Sequence, residues 1–106
     1  MTCYRMMFED HHLIGVKGRT VTAAFRFGDF PFEAGDTIEA VKGRHSKLKI
    51  SPIPIRCTKV TKANWGQITQ EQFTKAGITA QFIENRYGFM LQKNLPLAFI
   101  EFEVIQ

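Results

Sequence analysis

A long acid-free stretch is the most informative absence in this chain. No Asp or Glu lies between Glu39 and Glu71, although seven of the 14 Lys and Arg fall there. Those seven cations are Lys42, Arg44, Lys47, Lys49, Arg56, Lys59 and Lys62. The net charge of +4 is therefore a local +7 combined with −3 from the other seven cations and all ten acids. Such a field attracts anions and predicts phosphate-bearing partners; the alternative is a solvated basic face without a partner.

Long apolar runs and cysteines are also scarce. No apolar run approaches the roughly 18 residues of a membrane span, and the N-terminus lacks the apolar stretch of a signal peptide. The two cysteines, Cys3 and Cys57, match no zinc or CxxC spacing. We therefore expect a cytoplasmic protein with free thiols and no membrane association, with a single disulfide as the alternative.

The chain predicts one domain, 1–106, because 44% of its residues are hydrophobic and no linker or repeat interrupts it. Strands are predicted at 3–8, 20–27, 37–41, 55–61 and 97–105, and helices at 9–16, 69–77 and 79–88. Thr69 and Gln72 form a capping box, whereas Pro52 and Pro54 predict an irregular or edge segment before the fourth strand. This order predicts an α+β fold, a small mixed or antiparallel barrel with two or three short helices at its rim.

The pair His11-His12, beside Glu9 and Asp10, is the one arrangement that suggests a metal. Neighbouring side chains on a helix point about 100° apart, and the HxxxH and HxxE spacings are absent. We therefore expect a surface helix end, with no metal and no cofactor.

The segment 15–22 places two glycines before a predicted strand, with Lys17, Arg19, Thr20 and Thr22 close together. It is not a Walker loop, because the GxxxxGK[ST] order is absent. A glycine-rich turn exposes backbone N–H groups that bind an anion, with Lys as a point charge. The alternative is a helix that ends at glycine and is followed by an ordinary strand.

Trp65 is the single tryptophan and closes the basic stretch. A ring among cations can stack on a nucleic-acid base; the alternative is a core ring packed against the helix that the capping box begins. Four phenylalanines alternate along the chain, which favours a core role for Phe25, Phe27, Phe30 and Phe32.

The order of these features along the chain resembles that of the ASCH family, small domains with the PUA-like fold. Gly15 and Lys17 match the GxKxxExR-type motif of that family, with Thr20 and Thr22 in place of its Glu and Arg. A Gly-Asp turn at 35–36, the 55–61 strand with the helical segment 68–77, and a closing strand at 99–104 complete the resemblance. It covers residues 4–105.

The resemblance implies a nucleic-acid or nucleotide-binding module, since PUA-like domains are commonly RNA-binding. The expected partners are RNA, another single-stranded nucleic acid or a nucleoside. The expected contacts are Lys17, Arg19, Arg26, Arg44, Lys47, Lys49, Lys59, Lys62 and Trp65.

The nearest branch, the small bacterial N4-acetylcytidine amidohydrolases, implies an alternative function. In that case Lys17 is the base and Thr20 the nucleophile that attacks an N4-acylated cytidine. The glutamate of that branch aligns near Ala76, so Glu71 or Glu84 has to supply the carboxylate. A third hypothesis is a protein-interaction domain, and the sequence leaves open whether the protein is an enzyme.

Overall fold

Five strands and three α-helices make up the fold within residues 3–28, 33–93 and 96–105, the part of the chain that the computed structural model describes. The strands are β1 (Cys3–Phe8), β2 (Ala23–Phe27), β3 (Thr37–Lys42), β4 (Ile53–Ala63) and β5 (Leu97–Val104). The helices are α1 (Asp10–Lys17), α2 (Gln70–Ala76) and α3 (Ala80–Gln92), with a 3-10 turn at Trp65–Gln67. The prediction of an α+β fold is confirmed.

The strands form one mixed sheet in the order β1-β3-β4-β5-β2. β1 runs parallel to β3, and the other neighbouring pairs are antiparallel. The sheet curls into a half-barrel, so the barrel prediction holds, with β1 and β2 as the two edges. The gap between these edges is called the seam below.

Alternation along β5 distributes its side chains between two apolar clusters, one on each side of the sheet. Ile100 and Phe102 join the cluster under α1, whereas Leu97 and Phe99 join the cluster under α2 and α3. Glu103 is exposed, as the alternating pattern predicted. Because both sides of the sheet are covered, apolar residues recur at almost every position of this strand.

The prediction of an irregular segment holds for Pro52, which precedes β4, and was wrong for Pro54. β4 is the central strand and already contains Pro54, which lies opposite Glu39 of β3. The Pro54 carbonyl accepts a hydrogen bond from the Ile105 N–H, so the Pro54 nitrogen also faces the β5 side. Because the nitrogen faces away from β3, the missing N–H removes no bond to β3, and on the other side β5 has already ended at Val104.

The helix termini follow the predicted caps at α2 and at the start of α3, where the Thr79 Oγ1 accepts from the Phe82 N–H at 3.1 Å, and differ only at the end of α3. The Thr69 Oγ1 accepts from the Gln72 N–H at 3.2 Å, the Gln72 Oε1 accepts from the Thr69 N–H at 2.9 Å, and α2 ends at left-handed Gly77. The predicted end at Gly88 was wrong, because α3 continues to Gln92 with only a kink at Tyr87.

Other predictions differ at the margins. β2 begins three residues later than predicted, because the N–H groups of Thr20 and Val21 both donate to the Gly15 carbonyl instead of joining the sheet. Phe25 is buried, while Phe30 and Phe32 lie outside the described residues. Cys57 is a buried free thiol. Among the described helices, none has the length and apolar character needed to cross a membrane.

Candidate functional site

A cavity of about 270 Å³ lies at the seam, between the ends of the edge strands and helix α3. It is called the seam cavity below. Its walls are mostly apolar and aromatic, with a few polar side chains, which is the usual make-up of a small-ligand site. They comprise Met7, Phe8, Glu9, His12, Val21, Ala23, Ala24, Phe25, Arg26, Phe27, Ala76, Ile78, Phe82, Ile83, Tyr87 and Met90.

Arg26 bridges the seam. Its Nη2 donates to the Met7 carbonyl of β1 and its Nη1 to the Phe25 carbonyl of β2, both at 2.8 Å. The guanidinium also lies 4.9 Å from the centre of the Phe8 ring. Burial lowers the pKa of Arg26, while Tyr87 and Glu9 act in the opposite direction; an arginine stays protonated in proteins. A cation is thereby fixed in the wall of a mostly apolar cavity.

Two histidines and a glutamate meet where α1 begins. The His11 and His12 rings lie 4.0 Å apart, so the expectation that these neighbours diverge was wrong. Phe82 of α3 packs edge-on against His12 at 5.6 Å. Burial lowers the pKa of His12, and His11 lowers it further. The Glu9 carboxylate forms an ion pair with Arg86, with Oε1 2.5 Å from Nη2.

The Gly-Lys motif lies outside the cavity walls. Lys17, Arg19 and Thr20 are exposed, and they are not among the lining residues. The backbone N–H groups of residues 18–21 donate to carbonyls of residues 14–16, and the Thr20 hydroxyl lies 3.2 Å from the Gly15 carbonyl. These N–H groups are therefore used within the chain, as expected of a helix that ends at glycine.

Three predicted phosphate contacts, Arg44, Lys47 and Lys49, are exposed in the loop that follows β3. Ser46 holds this loop against α1, because its hydroxyl donates to Asp10 Oδ1 at 2.6 Å. Asp10 follows Glu9 in the chain, and Glu9 lines the seam cavity. The loop is therefore tied to the residue that follows Glu9 in the chain.

Three further predicted contacts, Lys59, Lys62 and Trp65, lie on β4 or just after it, and Trp65 lines a second hollow. Lys59 and Lys62 are exposed on this strand, and Lys59 lies in register with Glu101. Trp65 is half-buried and packs edge-on against Phe73 at 6.2 Å. Trp65 also lines a hollow of about 240 Å³, and Phe27 lines both this hollow and the seam cavity.

The three residues of the amidohydrolase hypothesis are not brought together in the seam cavity. Glu71 is exposed and pairs with Lys75 at 3.6 Å, and Glu84 is exposed on α3. Ala76, the position aligned with the family glutamate, is buried and lines the cavity.

Sequence reasoning found Arg26 but missed other polar residues of the cavity. Arg26 was among the nucleic-acid contacts expected from the resemblance. His12 stood out only as a metal ligand and Tyr87 not at all, because their place in the cavity depends on how α1 and α3 pack together.

Comparisons with known proteins identify the fold. No family model matches the sequence, nor does any curated protein. The solved structure of an ASCH domain from Lactobacillus crispatus matches with a TM-score of 0.74 and 13% identity. The match covers 97% of this chain and 79% of that one. A protein from Enterococcus faecalis matches at 0.69 and 19% identity, over 99% and 80% of the chains. A Pyrococcus furiosus protein solved by NMR matches at 0.59 and 17%, over 99% of both chains. The chain therefore has an ASCH-type fold, as the resemblance implied.

Proposed function

We propose that this ASCH-fold chain is a nucleic-acid-binding module that holds one base of a single-stranded RNA in the seam cavity. The observation that carries the proposal is a base-sized cavity with aromatic walls and one fixed cation, Arg26. Its volume of about 270 Å³ is at the low end for ligand pockets, which suits a single base better than a whole nucleotide.

Arg26 gives the cavity a means of recognising a base edge. A guanidinium has five N–H donors, and the Met7 and Phe25 carbonyls account for one donor on each terminal nitrogen. A further N–H is then available for a carbonyl or ring nitrogen of a base. Single-stranded RNA is the favoured ligand because its unstacked bases expose these edges and both ring faces.

The loop cations support a phosphate path beside the cavity. Arg44, Lys47 and Lys49 are exposed, and the hydrogen bond between Ser46 and Asp10 holds their loop next to Glu9. A base in the cavity leaves its backbone outside, where these cations would neutralise phosphates and release counterions.

The hollow at Trp65 suits a neighbouring base. Phe27 forms part of both hollows, so a dinucleotide step can place one base on each side of this ring. Stacking on an aromatic side chain is tolerant of sequence.

Fluorescence anisotropy with a labelled oligonucleotide tests the proposal. Affinity for single-stranded RNA should fall steeply between about 50 and 200 mM salt. The double variant Lys47→Ala/Lys49→Ala should reduce the log–log salt slope by about 1.4, since each lost phosphate contact on a single strand contributes about 0.7. The same measurement with single-stranded DNA shows whether the 2′-hydroxyl contributes.

The matched control is Arg5→Ala/Lys93→Ala, which removes the same charge from exposed positions outside the acid-free stretch. Its slope should stay close to that of the unmodified protein. Equal effects of the two double variants, or no binding at about 50 mM salt, would contradict the proposal.

A further inference from the structure

We propose that Glu9, His11 and His12 form a binding site for a divalent transition-metal ion of the zinc type in the wall of the seam cavity. This site is independent of RNA binding, and either proposal can fail without the other. It lies where the chain passes from β1 into α1, so three residues within one stretch of four supply all the ligands.

The geometry of the three side chains carries the inference. Each offers one ligand atom, and these atoms lie within 4.8 Å of one another. Two imidazoles and one carboxylate are zinc ligands, and three protein ligands leave a fourth position open. With metal–ligand bonds of about 2.0–2.2 Å, a tetrahedral ion places its ligands roughly 3.5 Å apart. Side-chain movements of about an ångström therefore complete the site.

His12 supplies a second, separate observation. Its Nε2 is buried and meets no hydrogen-bond partner among the described residues. A buried polar atom that has no partner is costly, so such atoms often indicate a missing ion or water. An ion bound through this ring, or a water in its coordination shell, would give the Nε2 atom a polar partner in addition to the Gly77 backbone near this ring.

The open coordination position of the ion would face the seam cavity. Glu9 and His12 both line the seam cavity, whereas His11 is exposed. An ion held by these residues would therefore lie between solvent and the cavity, where it can accept an oxygen or nitrogen atom from a molecule bound inside.

Arg86 is the competitor for this site. Its guanidinium pairs with the Glu9 carboxylate, and the Arg86 side chain is 56% exposed. The Glu9 side chain is 31% exposed, so solvent screens the pair in part, and a metal ion that offers the carboxylate a new cationic partner can displace Arg86. Binding of the ion and the Glu9–Arg86 pair should therefore exclude one another.

Titration of the full chain with Zn²⁺, followed by calorimetry, is the test. His12→Ala and His11→Ala should each weaken binding at least about tenfold. His45→Ala is the matched control, because it removes the remaining histidine from an exposed loop and should leave the affinity unchanged. Arg86→Gln should tighten binding, because it leaves the Glu9 carboxylate without its competitor.

Histidine side-chain NMR locates the ion. The ring nitrogens of His11 and His12 should shift on addition of Zn²⁺ while those of His45 stay in place, and amide spectra confirm that each variant is folded. No saturable binding up to about 1 mM Zn²⁺ would overturn the proposal. Equal weakening by all three histidine variants, or no tightening in Arg86→Gln, would do so as well.

Discussion

The guanidinium of Arg26 on β2 donates a hydrogen bond of 2.8 Å to the Met7 carbonyl of β1, and so joins the two edges of the half-barrel. These strands are at opposite ends of the sheet order, with three strands between them. One side chain therefore holds the seam at a fixed width beside the cavity.

Replacing Arg26 should destabilise the fold as well as the site. Arg26→Ala removes two charge-assisted hydrogen bonds and a cation–π contact with Phe8. We expect a loss of about 2–3 kcal/mol in the free energy of unfolding, measured by urea denaturation. Arg5→Ala, which removes a side chain that is 76% exposed, should cost less than about 1 kcal/mol. A similar small loss in Arg26→Ala would show that the seam does not depend on this bridge.

Gly15 and Gly18 of the Gly-Lys motif differ in how closely the chain packs around them. A Cβ on Gly15 would lie 2.5 Å from Cγ2 of Val21, whereas one on Gly18 would meet only ordinary contacts, the nearest at 3.5 Å. Gly15→Ala should therefore destabilise the protein by about 1–3 kcal/mol through overpacking, although alanine favours a helix. Gly18→Ala should be neutral or stabilising by up to about 1 kcal/mol. Thermal and urea unfolding measure both variants.

The same pair tests whether the motif binds anions through its backbone. Val21 lines the seam cavity, so Gly15→Ala should also weaken base binding, and Gly18→Ala should not. Loss of RNA binding in a folded Gly18→Ala variant would instead support the anion-binding turn.

Lys17 and Thr20 discriminate between binding and hydrolysis. Because neither residue lines the cavity, Lys17→Ala and Thr20→Ala should change base affinity by less than about twofold. If the protein hydrolyses N4-acetylcytidine with these two residues, both variants should abolish release of cytidine and remain folded. Chromatography of the nucleosides after incubation measures this. Turnover that persists in either variant would exclude the Lys–Thr mechanism.

Cys57 should resist thiol reagents. The side chain is fully buried in β4, and burial raises the pKa of its thiol above the ordinary value for cysteine. The thiolate is the reactive form, so its fraction at a given pH below that value is smaller than for an exposed cysteine. In a Cys3→Ser background, we expect slow reaction with Ellman's reagent in buffer and fast reaction in urea. Equally fast labelling in buffer would show that β4 opens readily.

Local sequence signals predicted the elements whose geometry depends on near neighbours. Thr69 and Gln72 satisfy each other within one helical turn, and the alternation of 97–104 sets which β5 side chains face each cluster. The excess of cations between Glu39 and Glu71 is likewise a property of the sequence alone. These features required no knowledge of the rest of the chain.

The tertiary structure decided the features that join distant segments. Pro54 occupies the central strand because the neighbouring β5 has ended where its N–H is missing. Arg26 reaches Met7, 19 residues away, and His12 meets Phe82 across the seam. Sequence patterns reveal periodicity and helix caps, which depend on residues a few positions apart. Which side chains share a cavity depends instead on how the half-barrel closes. The sequence therefore determined the elements and the charge, and packing between distant strands and helices decided the site.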